Sequence, residues 1–454
     1  MGRRVLFDVS GLVQWYSYLS KPSGIQRVTE SVLGVPELAF HPDVSFVARA
    51  IGSDIFYVVD PGIITGLVTS HARQSSIARL RGIFAQSMRM SHPSRLLKEL
   101  RAIHLPYVAL GLSFTDRIWE GYCAERWPAR TSPLRAIDPT EKYAALVGLG
   151  DFWCHRDHVR ALIELKDRGR STLIHLVHDL IAAHSPQWTH PHYGREFLDQ
   201  FSRLAPDVDQ WLVTSKYVAS QLSDYLGQRV LPARPIEIIS MGWPQAMPHY
   251  GNDLLQDDAT LQKHGLRRGR YILHVGTVEP RKNLGALFDA LTPLLSVAEH
   301  SRLRCVLVGR DGWRSETVHQ RLKSDVRLRD MVTWLKAAND DELAALYRGA
   351  RFTVVPSFDE GWGLAVQESL AHGTPCIASP VGGIPEAGLD LAEYVRSDDA
   401  NAFTNAIRTY ATDDEVLGCA RQKIVRRLTS PPRLPSWGDA AEMIARLSGL
   451  TLKT

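Results

Sequence analysis

Along the chain, short apolar runs alternate with polar turns and longer stretches of helical spacing. Residues 5–9 read as a first strand, followed by a loop holding Pro22-Ser23-Gly24 and a helix from about Ile25. Residues 144–149 end at Gly150-Asp151, residues 172–177 end at His178-Asp179, and residues 211–214 lead to Ser215, a residue type that caps helix starts. The rhythm fades over a polar stretch at 245–268 and restarts with strands at 271–275, 305–308, 332–335, 352–355 and 375–378. Strand, turn and helix in repeated succession predict an α/β fold of two Rossmann-like domains, covering 1–244 and 269–432 with 245–268 as linker. Open parallel sheets bind ligands at the carboxyl ends of their strands, so two such units predict a cleft between facing loops. After Pro431, Pro432 and Pro435, Ser436-Trp437 starts a further amphipathic helix with Ala441, Ile444 and Leu447 on one face.

Composition narrows the class. With 44% hydrophobic and 22% charged residues, the chain can bury full cores. A net charge of +4 over 454 residues is too weak a basic footprint for a nucleic-acid binder. Five cysteines, an odd number with no Cys-x-x-Cys, argue against a disulfide framework or zinc ribbon and for a reducing, cytoplasmic setting. The opening MGRRVLFDVSGLV is broken by Asp8 and reads as a strand rather than a signal peptide, and Leu6 stands where myristoylation needs Ser or Thr. No run approaches the ~18 apolar residues of a membrane span, so membrane contact would be peripheral. Residues 73–104 hold Arg73, Arg79, Arg81, Arg89, Arg95, Lys98 and Arg101 against Glu99, with Ile77, Leu80, Phe84 and Met88 at helical spacing. Such a stretch suits either an anionic membrane surface or a core-packed helix with a solvated basic face, and Pro93 would split it into two short helices.

Candidate chemistry lies in the second unit. In YILHVGTVEPRKN, residues 271–283, a strand ends at Gly276-Thr277, and Arg281-Lys282 precede a helix. Free N–H groups at a helix start, with a forked and a point-like cation beside them, suit a diphosphate; a solvated basic turn is the plain alternative. In PSFDEGWGLAVQE, residues 356–368, Glu360 and Glu368 are separated by seven residues with Gly361 and Gly363 between them. Glu368, about one turn inside a helix starting near Leu364, is placed to accept from a ribose diol, and Glu360 to meet sugar hydroxyls. A further Gly/Pro-rich turn, residues 379–386, comes after the next strand.

Residues 271–386 resemble the donor-binding half of retaining glycosyltransferases of family four, which have the GT-B fold, and in particular bacterial mannosyltransferase-like members. The shared features, in the family's order, are the Gly-Thr-x-Glu-Pro-Arg-Lys-Asn turn, Leu-Val-Gly-Arg at 307–310, the spaced glutamates and the Pro-Glu loop. The resemblance implies that Arg281 and Lys282 hold a donor diphosphate, Glu360 touches the donor sugar, Gly363 and Leu364 give backbone contacts and Glu368 binds ribose. By the same resemblance Gly24, Gly276, Thr277, Gly309, Lys336 and Gly361 are further candidates for donor binding. The family often has Leu-Gly where this chain has Leu335-Lys336, beside the base. In the first unit, Ser23-Gly24-Ile25-Gln26-Arg27, His178-Asp179-Leu180-Ile181 and Thr214-Ser215-Lys216 are similar to the family's turns. The last helix is similar to the segment, here 433–454, that crosses back to complete the first domain. Residues 50–140 match nothing in the pattern.

The resemblance implies a metal-independent hexosyltransferase. It would move a hexose, first of all mannose from GDP-mannose, to a glycan or polyprenyl-linked glycan acceptor in bacterial surface polysaccharide synthesis. No cofactor is expected beyond the nucleotide-sugar substrate. His178, at a strand end facing the cleft, is a candidate hydrogen-bonding group near the reacting sugar. The pairs His155/His158 and His175/His178, with His190 and His192, could in principle ligate zinc, but no Cys or carboxylate completes a set. A nucleotide-sugar epimerase or phosphorylase on the same fold, or a non-catalytic nucleotide-sugar-binding module, are the alternatives.

Overall fold

The computed structural model describes residues 4–50, 53–89, 134–138, 140–153, 157–244, 252–293 and 303–452. Among them the strands form two sheets. The first has seven strands in the order β3-β2-β1-β4-β5-β6-β7: β1 Val5–Asp8, β2 Val44–Arg49, β3 Phe56–Val59, β4 Ala145–Gly148, β5 Thr172–Val177, β6 Gln210–Val213 and β7 Ile236–Ile238. Only β2 and β3 pair antiparallel; the rest are parallel. The second has six parallel strands in the order β10-β9-β8-β11-β12-β13: β8 Tyr271–Val275, β9 Arg304–Val308, β10 Val332–Leu335, β11 Phe352–Val355, β12 Cys376–Ala378 and β13 Glu393–Tyr394. In each sheet the order reverses beside the first strand, at β1/β4 and β8/β11, which opens a crevice at the carboxyl ends. Strands β4 and β11 are buried along their whole length, as expected for parallel strands covered by helices on both faces.

The strand-helix alternation reads through with shifts of one or two residues, and three expectations change. A helix, Ser10–Tyr18, stands where a loop was expected after β1; Leu12, Val13 and Tyr16 bury its inner face. Its apolar stripe is too short to stand out from the preceding strand. The stretch 245–268 is not simply a linker: helix Asn252–Lys263 lies within it. Leu261 and Leu266 pack with Tyr271, Leu346 and Tyr347 in a core of the second sheet. The described part of the basic stretch lies in one helix, Ser70–Arg89, whose Ile77, Leu80 and Phe84 lie in the core of the first sheet. Its apolar face is therefore turned inward and not toward lipid. Arg73 donates to Glu30 at 2.9 Å and to the Tyr16 hydroxyl at 2.7 Å, and Arg81 donates to the Tyr16 carbonyl. Residues 90–104, and with them the expected break at Pro93, lie outside the described residues. Among the described residues no helix is long and apolar enough to cross a membrane.

The final helix, Trp437–Leu447, starts with a capping box between Ser436 and Asp439. Ala440, Ala441, Ile444 and Ala445 are buried in the same core as Val5, Phe7 and Val28. Trp437 also packs there, against Gly242, where an added Cβ would come within 2.5 Å of the indole.

Candidate active site

The turn after β8 carries two cations, Arg281 and Lys282. Gly276 (φ +154°) and Gly309 (φ +155°), at the ends of β8 and β9, lie back to back; a Cβ on Gly309 would fall 1.9 Å from the Gly276 carbonyl oxygen. No other residue permits both the backbone angle and that approach. Val278 and Gly312 then hydrogen-bond across, and the chain folds into a 3-10 turn, Pro280–Lys282. The next helix, Leu284–Leu291, begins only after Asn283 in a left-handed conformation. Arg281 and Lys282 therefore sit on a tight turn ahead of the helix rather than in its first turn.

Both cations converge on Glu360. Arg281 Nη1 is 2.7 Å from Glu360 Oε2, Lys282 Nζ is 2.5 Å from Oε1, and the Ser357 hydroxyl donates to Oε1 at 2.8 Å. Arg281 also donates to the Asp359 carbonyl and to Glu279. The three side chains are only 12–16% exposed. Burial alone would raise the Glu360 carboxyl, but Arg281 and Lys282 outweigh it and hold it at about 2. The same carboxylates, with Asp179, raise the Arg281 guanidinium further against its own desolvation.

The second glutamate lies apart from this triad. Gly363 (φ +116°) precedes the helix Leu364–Ala371, and Glu368 stands one turn in, as its spacing predicts. The Tyr347 hydroxyl donates to its Oε2 at 2.9 Å, and Arg27 of the first domain lies 3.9 Å from Oε1. Arg27 also pairs with Asp340 at 2.9 Å. Arg27 was visible in Gly24-Ile25-Gln26-Arg27, yet nothing local marks it as the cation that faces a carboxylate more than 300 residues away. Lys336 is exposed, bonded to Asp311 at 2.6 Å and set 5.1 Å from the Trp334 ring centre, so it lies at the mouth of the β9 and β10 loops, away from the triad's partners.

The two domains meet at glycines. A Cβ on Gly361 would come within 2.2 Å of the His178 carbonyl, and the Ser215 hydroxyl donates to the Gly361 carbonyl at 2.8 Å. A Cβ on Gly24, at the start of helix Gly24–Leu33, would touch Leu364 at 3.5 Å. Glu386, in the short helix Ile384–Gly388 after β12, accepts from the backbone N–H groups of Lys216 and Tyr217 at the start of a first-domain helix. His178 thus borders the cleft, but its ring is tied down: Nε2 donates to the Leu149 carbonyl at 2.7 Å. Burial lowers its pKa to about 4, so it is a neutral imidazole.

Beyond that carbonyl, Gly150-Asp151 closes a small cavity of about 10 Å³, room for about one water, that Asp8, Thr29 and His175 also line. Asp151 accepts from Gln26 at 2.6 Å, its other oxygen is buried without a protein partner, and burial raises its pKa to about 7. His158 pairs with Asp8, and His175 is enclosed by Phe152 and Trp211. His155 lies outside the described residues. Among the described residues no three His, Cys, Asp or Glu side chains converge as a metal-ion site.

Residues 269–413, which hold the triad, Glu368 and Glu386, match the family described as glycosyl transferases group 1. The O-antigen chain mannosyltransferase B of Escherichia coli is 34% identical over 154 residues, 34% of this chain and 40% of that protein. The D-inositol 3-phosphate glycosyltransferase of Corynebacterium efficiens is 25% identical over 291 residues, 62% of this chain and 66% of that one. The chain therefore matches between 40% and 66% of the length of these two relatives. Among solved structures, Anabaena HepE, crystallised with UDP and glucose, superposes over 99% of this chain and 100% of its own with a TM-score of 0.60 at 15% identity, a likeness of fold alone. Residues 269–413 thus match a group 1 glycosyltransferase domain, and the two sheets of the chain have the GT-B fold.

Proposed function

We propose that the protein is a retaining, metal-independent glycosyltransferase that moves a hexose from a nucleotide sugar to a glycan or lipid-linked glycan acceptor. GDP-mannose is the first candidate donor, a choice supported by the E. coli mannosyltransferase relative. The observation that carries the reading is the buried meeting of Arg281 and Lys282 on Glu360 at the carboxyl end of β8. Two cations on a rigid turn would neutralise the charge that grows on a departing diphosphate, the role a divalent ion plays elsewhere. In the free protein Glu360 balances them. An arriving diphosphate takes over that role and releases the carboxylate to accept from hydroxyls of the donor sugar. Glu368, already set by Tyr347, accepts from the ribose diol. His178, held neutral, offers hydrogen bonding and no charge at the sugar's other side. Transfer to a surface polysaccharide precursor is suggested by the O-antigen chain mannosyltransferase relative; any membrane contact would use parts of the chain other than the inward face of helix Ser70–Arg89.

The test is a thermal-shift panel of GDP, UDP, ADP and dTDP, and then donor hydrolysis with the nucleotide that stabilises most. The reading requires one of the four to stabilise the protein and its nucleotide sugar to be turned over. No shift with any of them, or a shift without release of nucleoside diphosphate, sinks the enzymatic reading; the latter outcome leaves a binding module.

A further inference from the structure

Six aromatic or imidazole rings gather where the two domains meet beside the cationic triad. Four come from one short first-domain segment, where a 3-10 turn, Pro186–Trp188, runs into helix Pro191–Leu204. That segment places Trp188, His190, His192 and Tyr193 within six residues. The second domain adds Phe358, from the loop after β11, and Trp313, from the loop after β9. Trp188 stacks on Phe358 with ring centres 4.3 Å apart and planes within 9°. His190 meets Trp313 edge-on at 5.9 Å and Tyr193 at 4.8 Å, and the Arg314 guanidinium lies 4.9 Å from the Trp313 ring centre.

Rings that served only to glue the domains would be buried. Instead Tyr193 is 43% and Phe358 37% exposed, and Trp188, His190, His192 and Trp313 are half-buried. Contiguous exposed aromatic surface on a soluble fold marks a binding face, and ligand sites favour domain interfaces lined by aromatic rings. Beneath the rings the buried Asp359 holds the two domains together, receiving the Ser185 hydroxyl at 3.0 Å and the Tyr217 hydroxyl at 3.1 Å. The surface is also continuous with the donor machinery. The Phe358 N–H donates to the Arg281 carbonyl at 2.8 Å, and Arg281 donates to the next residue's carbonyl, Asp359.

We propose that this cross-domain cluster is a saccharide-binding subsite that stacks pyranose rings of the acceptor glycan and points one end of it at the triad. A pyranose offers a face of C–H groups to an aromatic ring and a rim of hydroxyls to imidazoles, which is the chemistry assembled here. The proposal rests on the transferase reading for the direction of the glycan, but the binding itself does not.

The experiment is titration of intrinsic tryptophan fluorescence with α-mannotriose, maltotriose and chitotriose, to about 10 mM each. Wild type, Trp188→Ala and Tyr193→Ala are compared, with nucleoside diphosphate binding measured in parallel. At least one trisaccharide should bind wild type saturably, and each substitution should weaken it roughly tenfold while leaving nucleotide affinity within about twofold. Tyr193, being exposed, keeps the test open should Trp188→Ala misfold. The proposal is overturned if none of the three sugars binds wild type, if binding is unchanged in Tyr193→Ala, or if that variant loses nucleotide and sugar together. Sugar binding without any nucleotide binding would sink the transferase reading and leave the subsite standing.

Discussion

Glu360→Gln separates the two jobs given to that carboxylate. In the free protein it is the shared counter-charge of two nearly buried cations, and its ionisation at about 2 instead of an ordinary 4.5 measures that role. At about 1.4 kcal/mol for each tenfold change in proton affinity, the difference corresponds to roughly 3 kcal/mol of folding stability at neutral pH. This is also the scale for breaking a buried ion pair on one side. The contribution is present above pH 4.5 and disappears as pH falls from there through about 2. Glu360→Gln should therefore melt well below wild type at pH 7, and the gap should close toward pH 2. A nucleoside diphosphate would restore the missing negative charge, so the nucleotide-induced rise in Tm should be larger in the variant than in wild type. Sugar transfer should nonetheless fall, because the amide cannot replace the carboxylate at the donor sugar. Differential scanning fluorimetry with and without the best-binding nucleotide, at pH 7 and pH 3, measures all of this except transfer. Equal stability of the two proteins at pH 7, or a smaller nucleotide shift in the variant, would refute the charge-balance argument.

Replacing Arg281 or Lys282 by Ala should lower turnover by on the order of 10²-fold or more, measured as nucleoside diphosphate release; near-normal turnover in both would remove the clamp. Activity should survive excess chelator, whereas loss in chelator that magnesium or manganese reverses would show that the cations do not replace a metal. Gly361→Ala inserts a Cβ 2.2 Å from the His178 carbonyl and should push the domains apart, giving a larger radius by X-ray scattering and a strong loss of transfer with each domain still folded; unchanged scattering and activity would mean the close approach is not required. Asp151, raised by burial from an ordinary 3.8 to about 7, is a stabilising neutral acid whose contribution is lost as pH rises through that window. Asp151→Asn should thus be more stable than wild type by an amount growing from pH 4 to pH 8, up to ~4 kcal/mol; a pH-independent difference in melting would show that the carboxyl is not so perturbed.

Much of this protein was written locally. Parallel strands such as residues 172–177, 271–275 and 352–355 are continuous apolar runs because helices cover both faces, so they announce themselves without knowledge of their neighbours. Gly276, Gly309 and Gly363 mark turns that need their backbone angles, Ser215 and Ser436 mark helix starts, Arg281, Lys282 and Glu360 stand out as charges in the loops after strands, and Glu368 as one a turn inside a helix. What the tertiary structure alone decided is which of these groups face each other. Arg281 and Lys282 are 78 or 79 residues from Glu360 in the chain, and only the adjacency of β8 and β11 brings them together. The pairing of Arg27 with Asp340, the contact of Gly361 with His178 and the stack of Trp188 on Phe358 cross from one domain to the other, where no sequence periodicity reaches. The same holds for the basic helix Ser70–Arg89: its pattern of Ile77, Leu80 and Phe84 defined an apolar face, but a face does not say what covers it. Glu30 and Tyr16, waiting to receive Arg73 beside the first sheet, turned that face to the core, because a guanidinium paired and hydrogen-bonded there stabilises what an unpaired one would disrupt.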